Sequence, residues 1–272
     1  YDQAVQYFTE ALELSDGWVQ NVDYDMNYYL AAAYRKNGQP AEAKKVYDAI
    51  LGLKPEEKDA YFLRGSAELE LGDYESAKAD FDKAISMDPK NYDRLIEIYE
   101  ALADYGYREV GQEYLQNVLD TAKQLDAYDS GRIYYYLGDY QKAYLALEEA
   151  KGKGGVDSYL YLGKAYAATG DYNYASSVYS NYLSKQGPDA EIYNQLGLCE
   201  MAKKDYQKAL EAFQAGKQIE GNSLMQTLSF NEIVAYEYLQ DYQKAAVLLK
   251  AYLQNYPDDQ AAIREQQFLS TR

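Results

Sequence analysis

The chain contains no histidine, which removes the side chain that most often acts as a general base near neutral pH. The same absence removes most zinc sites and the Ser-His-Asp type of catalytic triad. The single cysteine, Cys199, cannot form an internal disulfide, and its apolar neighbours Leu196 and Leu198 predict a buried thiol. We therefore expect a protein that is not an enzyme, with no catalytic residue, no metal ligand and no cofactor.

Long hydrophobic runs and positive charge are also scarce. No stretch approaches the ~20 apolar residues that a membrane-spanning helix needs, so we expect no transmembrane segment in this chain. The 44 acidic residues outnumber the 27 basic ones and give a net charge of −17. Such a negative chain is repelled by nucleic acid and by anionic lipid. Nucleic acid is therefore not an expected partner.

What the sequence has in abundance is internal repetition. The heptapeptide at 137–143, Leu-Gly-Asp-Tyr-Gln-Lys-Ala, has close copies at 71–77 and 169–175 and eroded copies at 204–209 and 240–245. Its last position is always small, and its occupants, 32 to 39 residues apart, are Ala4, Ala43, Ala77, Gly111, Ala143, Ala175, Ala209 and Ala245. A period of about 34 residues is typical of a repeated pair of helices.

The physical meaning of the repeated stretch can be seen at 71–77. Gly72 can adopt the left-handed conformation that ends a helix, and the side chain of Asp73 can cap the helix that follows. Tyr74, Ala77 and an aromatic residue four positions later recur at helical spacing and form one apolar face. The small residue lets two helices approach closely. A single unit cannot bury this face, so neighbouring units must stack.

One copy of the pattern runs through Tyr61, Gly65, Gly72, Tyr74, Ala77, Phe81, Ala84 and Pro89. In this pattern the chain resembles the tetratricopeptide repeat (TPR) family over essentially its whole length. The resemblance implies an all-α protein, a right-handed superhelical solenoid of stacked helix-turn-helix repeats.

The pattern divides residues 1–272 into one solenoid. We expect a half repeat at 1–14, a capping helix at 258–272, and repeats at 24–57, 58–91, 92–123, 124–155, 156–189, 190–225 and 226–257. The half repeat corresponds to a second helix, so its partner helix, and any targeting or anchoring segment, is expected to precede Tyr1. The connection at 15–23 contains the only tryptophan, Trp18. When the half repeat is counted as the first, the fourth repeat is 92–123. It is irregular, because Arg108 and Gly111 occupy framework positions, and we expect a bend or altered packing there.

In the TPR family the first helices line a concave groove, and the resemblance implies a non-enzymatic scaffold that binds a peptide or partner segment in it. At 100° per residue, four carboxylates of the fourth repeat share one helix face. Tyrosines and two basic residues follow in the fifth and sixth repeats. The predicted groove residues are Asp93, Glu97, Glu100, Asp104, Tyr128, Arg132, Tyr135, Tyr136, Tyr161 and Lys164. Such a groove suits a partner with basic and aromatic residues.

Two other interpretations remain at this point. The acidic stripe is equally consistent with a solvated face of an acidic protein. The tyrosines of the fifth and sixth repeats could instead bind a small molecule or glycan, because aromatic faces suit sugar rings. A closed pocket bounded by Tyr128, Tyr135, Tyr136 and Tyr161 would favour this alternative, whereas an open surface would favour a partner segment.

Overall fold

The computed structural model describes residues 1–13 and 21–271, and within them the chain forms sixteen helices and no strand. This confirms the all-α prediction. The helices are α1 (Asp2–Glu13), α2 (Asn21–Lys36), α3 (Pro40–Leu53), α4 (Lys58–Glu70), α5 (Tyr74–Met87), α6 (Tyr92–Asp104), α7 (Arg108–Thr121), α8 (Ala127–Tyr136), α9 (Tyr140–Ala150), α10 (Gly155–Ala168), α11 (Tyr172–Gln186), α12 (Ala190–Ala202), α13 (Tyr206–Lys217), α14 (Met225–Tyr238), α15 (Tyr242–Asn255) and α16 (Gln260–Leu269). Trp18 and most of the predicted long connection lie outside the described residues.

From α2 to α15 the helices form pairs in chain order. The even-numbered member of each pair is its first helix, and the odd-numbered member is its second. In most of the chain the second helix of a pair also packs against the first helix of the next pair. The predicted repeat at 58–91, for example, contains α4 and α5. Two compact units contain these pairs, the first at Tyr1–Ala122 and the second at Lys123–Arg272.

The core of each unit consists of clusters shared between neighbouring pairs. In the first unit, Ala31 of α2 and Tyr47 of α3 pack with Ala67 of α4. In the second unit, Leu147 of α9 and Tyr179 of α11 belong to one cluster that extends from α9 to α12. Because a pair buries its apolar face only against its neighbours, stacking supplies the stability that one pair lacks.

The repeated heptapeptide forms the turn between the two helices of a pair, as its residues predict. Gly72, Gly138 and Gly170 have φ values of 78°, 81° and 85°, in the left-handed region. The aspartate that follows each glycine caps the second helix. The side chain of Asp73, for example, accepts the backbone N–H of Ser76 at 3.2 Å. The eroded copies keep this conformation without glycine, since Lys204 and Gln240 have φ values of 64° and 62°.

Close approach within a pair depends on a glycine on one of its two helices. A Cβ built on Gly163 would lie 2.3 Å from the ring of Tyr179, and one on Gly197 would lie 2.3 Å from the ring of Phe213. In the fourth repeat, a Cβ on Gly111 would lie 2.9 Å from the ring of Tyr99 and 3.2 Å from its Cα. The irregular Gly111 therefore allows α7 to pack directly on the backbone of α6.

Candidate binding surfaces

Successive first helices of the first unit contact each other through charged side chains. Arg35 of α2 donates from two guanidinium nitrogens to Glu70 of α4, at 2.7 and 2.5 Å. Arg94 of α6 donates to Asp59 of α4 at 2.9 Å. The faces of α2, α4 and α6 that carry these residues therefore form one surface within this unit.

The four carboxylates predicted on α6 are all solvent-exposed. Asp93, Glu97, Glu100 and Asp104 are spaced three to four residues apart, which brings neighbouring members onto one side of the helix. We call these four residues, together with Asp59, the acidic surface. Like charges at this spacing destabilise a helix by a few tenths of a kcal/mol per pair, so helix stability does not account for them.

Arg94 lies within the acidic surface and was not identified from the sequence. Its guanidinium contacts Asp59 at 2.9 Å and Glu97 at 3.1 Å, and it stacks over the ring of Phe62 at 4.0 Å. The surface is therefore less negative than the count of carboxylates suggests. Since Arg94 is held on three sides, it also fixes the positions of two of the carboxylates.

Two tyrosines near this surface respond to its charge. The pKa of Tyr28 is raised well above its ordinary value, mainly by burial and then by the carboxylates of Glu57 and Asp59. Burial likewise raises the pKa of Tyr105, with further contributions from Glu70 and from Asp104 of the acidic surface. Both hydroxyls therefore stay protonated. That of Tyr28 has no hydrogen-bond partner in the described structure.

Tyr135, Tyr136 and Tyr161, three of the four predicted tyrosines of the second unit, pack against one another. The hydroxyls of Tyr136 on α8 and Tyr161 on α10 are 2.9 Å apart. The ring of Tyr135 lies 5.4 Å from that of Tyr136 and 5.6 Å from that of Tyr161, both in edge-to-face geometry. We call Tyr128, Arg132, Tyr135, Tyr136, Tyr161 and Lys164 the tyrosine surface.

The two basic residues of the tyrosine surface are already engaged. Arg132 is only 7% exposed; its guanidinium contacts Asp129 at 2.6 Å and stacks over Tyr128 at 4.3 Å. The sequence suggested a basic group lining the groove, but burial makes Arg132 a support for the ring of Tyr128. Lys164 is half-buried and pairs with Glu191 of α12 at 3.6 Å.

A closed pocket between the tyrosines would have favoured binding of a small molecule or glycan, but three of the rings pack against one another. The rings of Tyr135, Tyr136 and Tyr161 fill the space between them, with centroids 5.4–5.9 Å apart. A polar cavity of about 380 Å³ lies instead beside α13 and α14, lined by Gln214, Ala215, Lys217, Gln218 and Glu232. Within its lining, Glu232 already accepts hydrogen bonds from Gln214 at 2.8 Å and Lys217 at 2.6 Å.

Family models match most of both units. One model described as tetratricopeptide repeat matches residues 28–92 and 160–223, and a second with the same description matches residues 230–259.

No helix in the described part of the chain combines the length and apolarity needed to span a bilayer.

Solved structures with the same arrangement of helices include a tetratricopeptide repeat protein from Parabacteroides merdae. It is 14% identical, with a TM-score of 0.56 over 85% of this chain and 90% of that protein. The APC/C hetero-tetramer Cut9–Hcn1 gives a TM-score of 0.54 at 17% identity, over 97% of this chain and 52% of that one. At these identities the likeness concerns the fold, an all-α helical-repeat solenoid.

A sequence relative, the FK506-binding protein-like protein of Mus musculus, matches a shorter segment. It is 42% identical over 62 residues, which is 23% of this chain. The match spans 18% of the length of the mouse protein.

Proposed function

Because this chain belongs to the tetratricopeptide repeat family, whose fold is typical of non-enzymatic scaffolds, we propose that it binds segments of a partner protein on its first helices. The observation that carries the proposal is the exposure of four carboxylates on α6 beside a fixed arginine. Because these carboxylates are exposed, a cationic side chain of a ligand can approach them from solvent. We expect the acidic surface to receive Lys or Arg side chains of the partner.

For the second unit we propose that the tyrosine surface binds an apolar or aromatic side chain. Tyr128, Tyr135, Tyr136 and Tyr161 are half-buried, so each combines a ring held by its neighbours with a remaining solvent-facing edge. Rigid aromatic side chains of this kind are enriched at the energetic centres of interfaces because they lose little entropy on binding. The mutual packing of the rings supports a protein segment over the small molecule or glycan also considered.

The first prediction concerns the acidic surface. Replacing Glu97 and Glu100 together with glutamine should weaken binding of a Lys- and Arg-containing peptide modestly, because an exposed charge pair contributes about 0–1 kcal/mol. Exposed charges act mainly on encounter rate and selectivity, so the salt dependence of binding should also flatten. The measurement is titration of synthetic basic peptides at low and high salt.

A matched control for this change lies on the second helix of the same repeat. Glu109 and Glu113 of α7 are also exposed, and their double replacement with glutamine alters the net charge equally. Binding and its salt dependence should then change less than in the α6 variant. Equal changes in both variants would mean that only the overall charge matters, and that the acidic surface is a solvated face.

The second prediction concerns Tyr136. Its replacement with alanine should cost roughly 1–2 kcal/mol of binding free energy for peptides that carry an aromatic residue, if its ring is an anchor. The Tyr136→Phe variant loses the hydrogen bond to Tyr161 but keeps the ring, so it should retain most of the affinity. The measurement is calorimetric titration with peptides that differ by one Trp, with thermal melting to show that each variant is folded.

Tyr172 on α11 provides the control for this variant, because it is an exposed tyrosine on a second helix. Replacing Tyr172 with alanine should leave peptide affinity unchanged. If Tyr136→Ala and Tyr172→Ala have the same effect, the tyrosine surface is part of the core packing alone.

A further inference from the structure

A buried glutamate occupies a position where most repeats have tyrosine. Nine residues before the small residue of each repeat, α2, α8, α10 and α14 carry Tyr34, Tyr134, Tyr166 and Tyr236. At the same position α4 carries Glu68 and α12 carries Glu200. These two residues are only 3% and 5% exposed. A carboxylate is rarely buried this deeply without a specific partner.

Glu68 belongs to a cluster of charged side chains that joins three helices. Arg64 of α4 donates from two nitrogens to the two carboxylate oxygens of Asp80 on α5, at 2.7 and 2.8 Å. Its third nitrogen donates to Asp48 of α3 at 2.7 Å. Lys44 of α3 completes the cluster, with its ammonium 3.4 Å from Asp48 and 3.5 Å from Glu68. We call these five residues the charge cluster.

The charge cluster contains three carboxyl groups and two cations, so it carries an excess negative charge when every group is ionised. Arg64 forms ion pairs with Asp80 and Asp48. Within this cluster, Lys44 is therefore the one cation within 4 Å of the Glu68 carboxyl. One oxygen of Glu68 is buried and accepts no hydrogen bond in the described structure. A proton on that carboxyl would balance the cluster.

The electrostatics of the site agree with this count. Burial is the main cause that raises the pKa of Glu68 from 4.5 to about 7, and the Asp80 carboxylate raises it further. Lys44 and Arg64 act in the opposite direction but do not cancel these effects. The hydrogen bond from Ser76 is the main cause that lowers the pKa of Asp73, the cap of α5, and Lys44 also lowers it.

We propose that the charge cluster is a proton-sensitive joint, which holds α3, α4 and α5 together more tightly when Glu68 is protonated than when it is ionised. The joint sets how firmly α4 is held, and α4 carries Asp59 of the acidic surface. The inference concerns the joint itself and does not depend on the proposed function.

The direction of the effect follows from linkage. Below pH 4.5 Glu68 is protonated in both the folded and the open chain, so the joint is at full strength. Between pH 4.5 and about 7 the open chain has lost the proton that the folded chain still holds, and stability falls as pH rises. Above about pH 7 Glu68 is ionised in both states, and this loss is complete.

Hydrogen exchange tests the proposal on the intact chain. Local opening of α4 and α5 is measured at pH 5.5 and pH 8, with each amide corrected for its intrinsic chemical exchange rate. The opening constant of the wild-type chain should rise on the order of 30-fold over this interval. In the Glu68→Gln variant, which removes the titrating group but keeps the shape, the rise should be several-fold smaller.

Glu200 supplies the matched control, because it occupies the equivalent buried position in the second unit and pairs with Lys203 at 2.6 Å. The Glu200→Gln variant should retain the pH dependence of α4 and α5. A rise in Glu68→Gln as large as that of the wild-type chain would overturn the proposal.

The pKa of the Glu68 carboxyl can also be measured directly in the wild-type chain by carbon-13 NMR. A variant is needed only to assign the signal. A Glu68 signal that titrates near pH 7 supports the joint. A signal that titrates near pH 4.5 overturns it, whatever the variants show.

Discussion

Replacing Phe213 with alanine should lower the free energy of unfolding of the second unit by roughly 3–5 kcal/mol. The ring is fully buried on α13 and packs directly over Gly197 of α12, where a built Cβ would lie 2.3 Å from the ring. Removing it leaves a cavity between the two helices of the pair as well as losing apolar burial. Urea unfolding followed by circular dichroism measures the loss.

The same contact can be tested from its other side. In the helix interior alanine is favoured over glycine by about 1 kcal/mol, yet Gly197→Ala should be destabilising because its methyl group meets the Phe213 ring. Combining it with Phe213→Leu should recover part of the loss, since the two residues contact each other. Gly52 of α3 has open space around its Cβ position, so Gly52→Ala should be neutral or stabilising.

These variants separate two explanations. If Gly197→Ala stabilises the protein as Gly52→Ala does, the helices have room to separate and the close approach is not required. If the double variant is no better than the sum of the single ones, the ring and the glycine are not coupled.

Removing Arg64 should destabilise the first unit strongly. The Arg64→Met variant keeps the length of the side chain but leaves the buried carboxylate of Asp80 without its two hydrogen bonds. Breaking a buried ion pair from one side costs about 3–5 kcal/mol, and the partial exposure of Arg64 places the expected loss near the lower end. Hydrogen exchange should show the loss in α3, α4 and α5 first.

Lys45 of α3 offers the comparison for this variant. It forms an exposed pair with Glu42 at 2.7 Å, and a pair of that kind contributes about 0–1 kcal/mol. Lys45→Met should therefore change the stability little. An equally small loss in Arg64→Met would show that water replaces the arginine at Asp80.

Much of the fold is readable from local sequence because the repeated stretch encodes its own turn. Gly72 and Asp73 act within one turn of each other, so their roles as left-handed residue and helix cap need no knowledge of the rest of the chain. Lys204 and Gln240 keep the same conformation without glycine. There the packing of two neighbouring helices outweighs the local preference of the residue.

The candidate surfaces are readable only in part. Helical periodicity places Glu97 and Glu100 on an exposed face of α6, since that property belongs to one helix. The contact of Arg94 with Asp59 joins residues 35 positions apart on different helices, so it depends on how α4 and α6 are placed. The burial of Arg132 likewise follows from packing that its own helix does not specify.

The sequence shows that Glu68 is unusual, but it does not show what the residue does. Aligning the repeats on their small residue places this glutamate among tyrosines. Alignment alone does not say whether such a carboxylate is exposed or buried, and the answer depends on Lys44 and Asp80 from two other helices.

The glycine–ring contacts within pairs also bear on how quickly the chain folds. Gly65 meets Phe81, Gly163 meets Tyr179 and Gly197 meets Phe213, and in each case the partners are sixteen residues apart. Closing so short a loop costs little chain entropy, and proteins rich in such local contacts have low contact order and fold rapidly. Because these contacts recur along the chain, folding has several possible starting points and can spread from each to its neighbours.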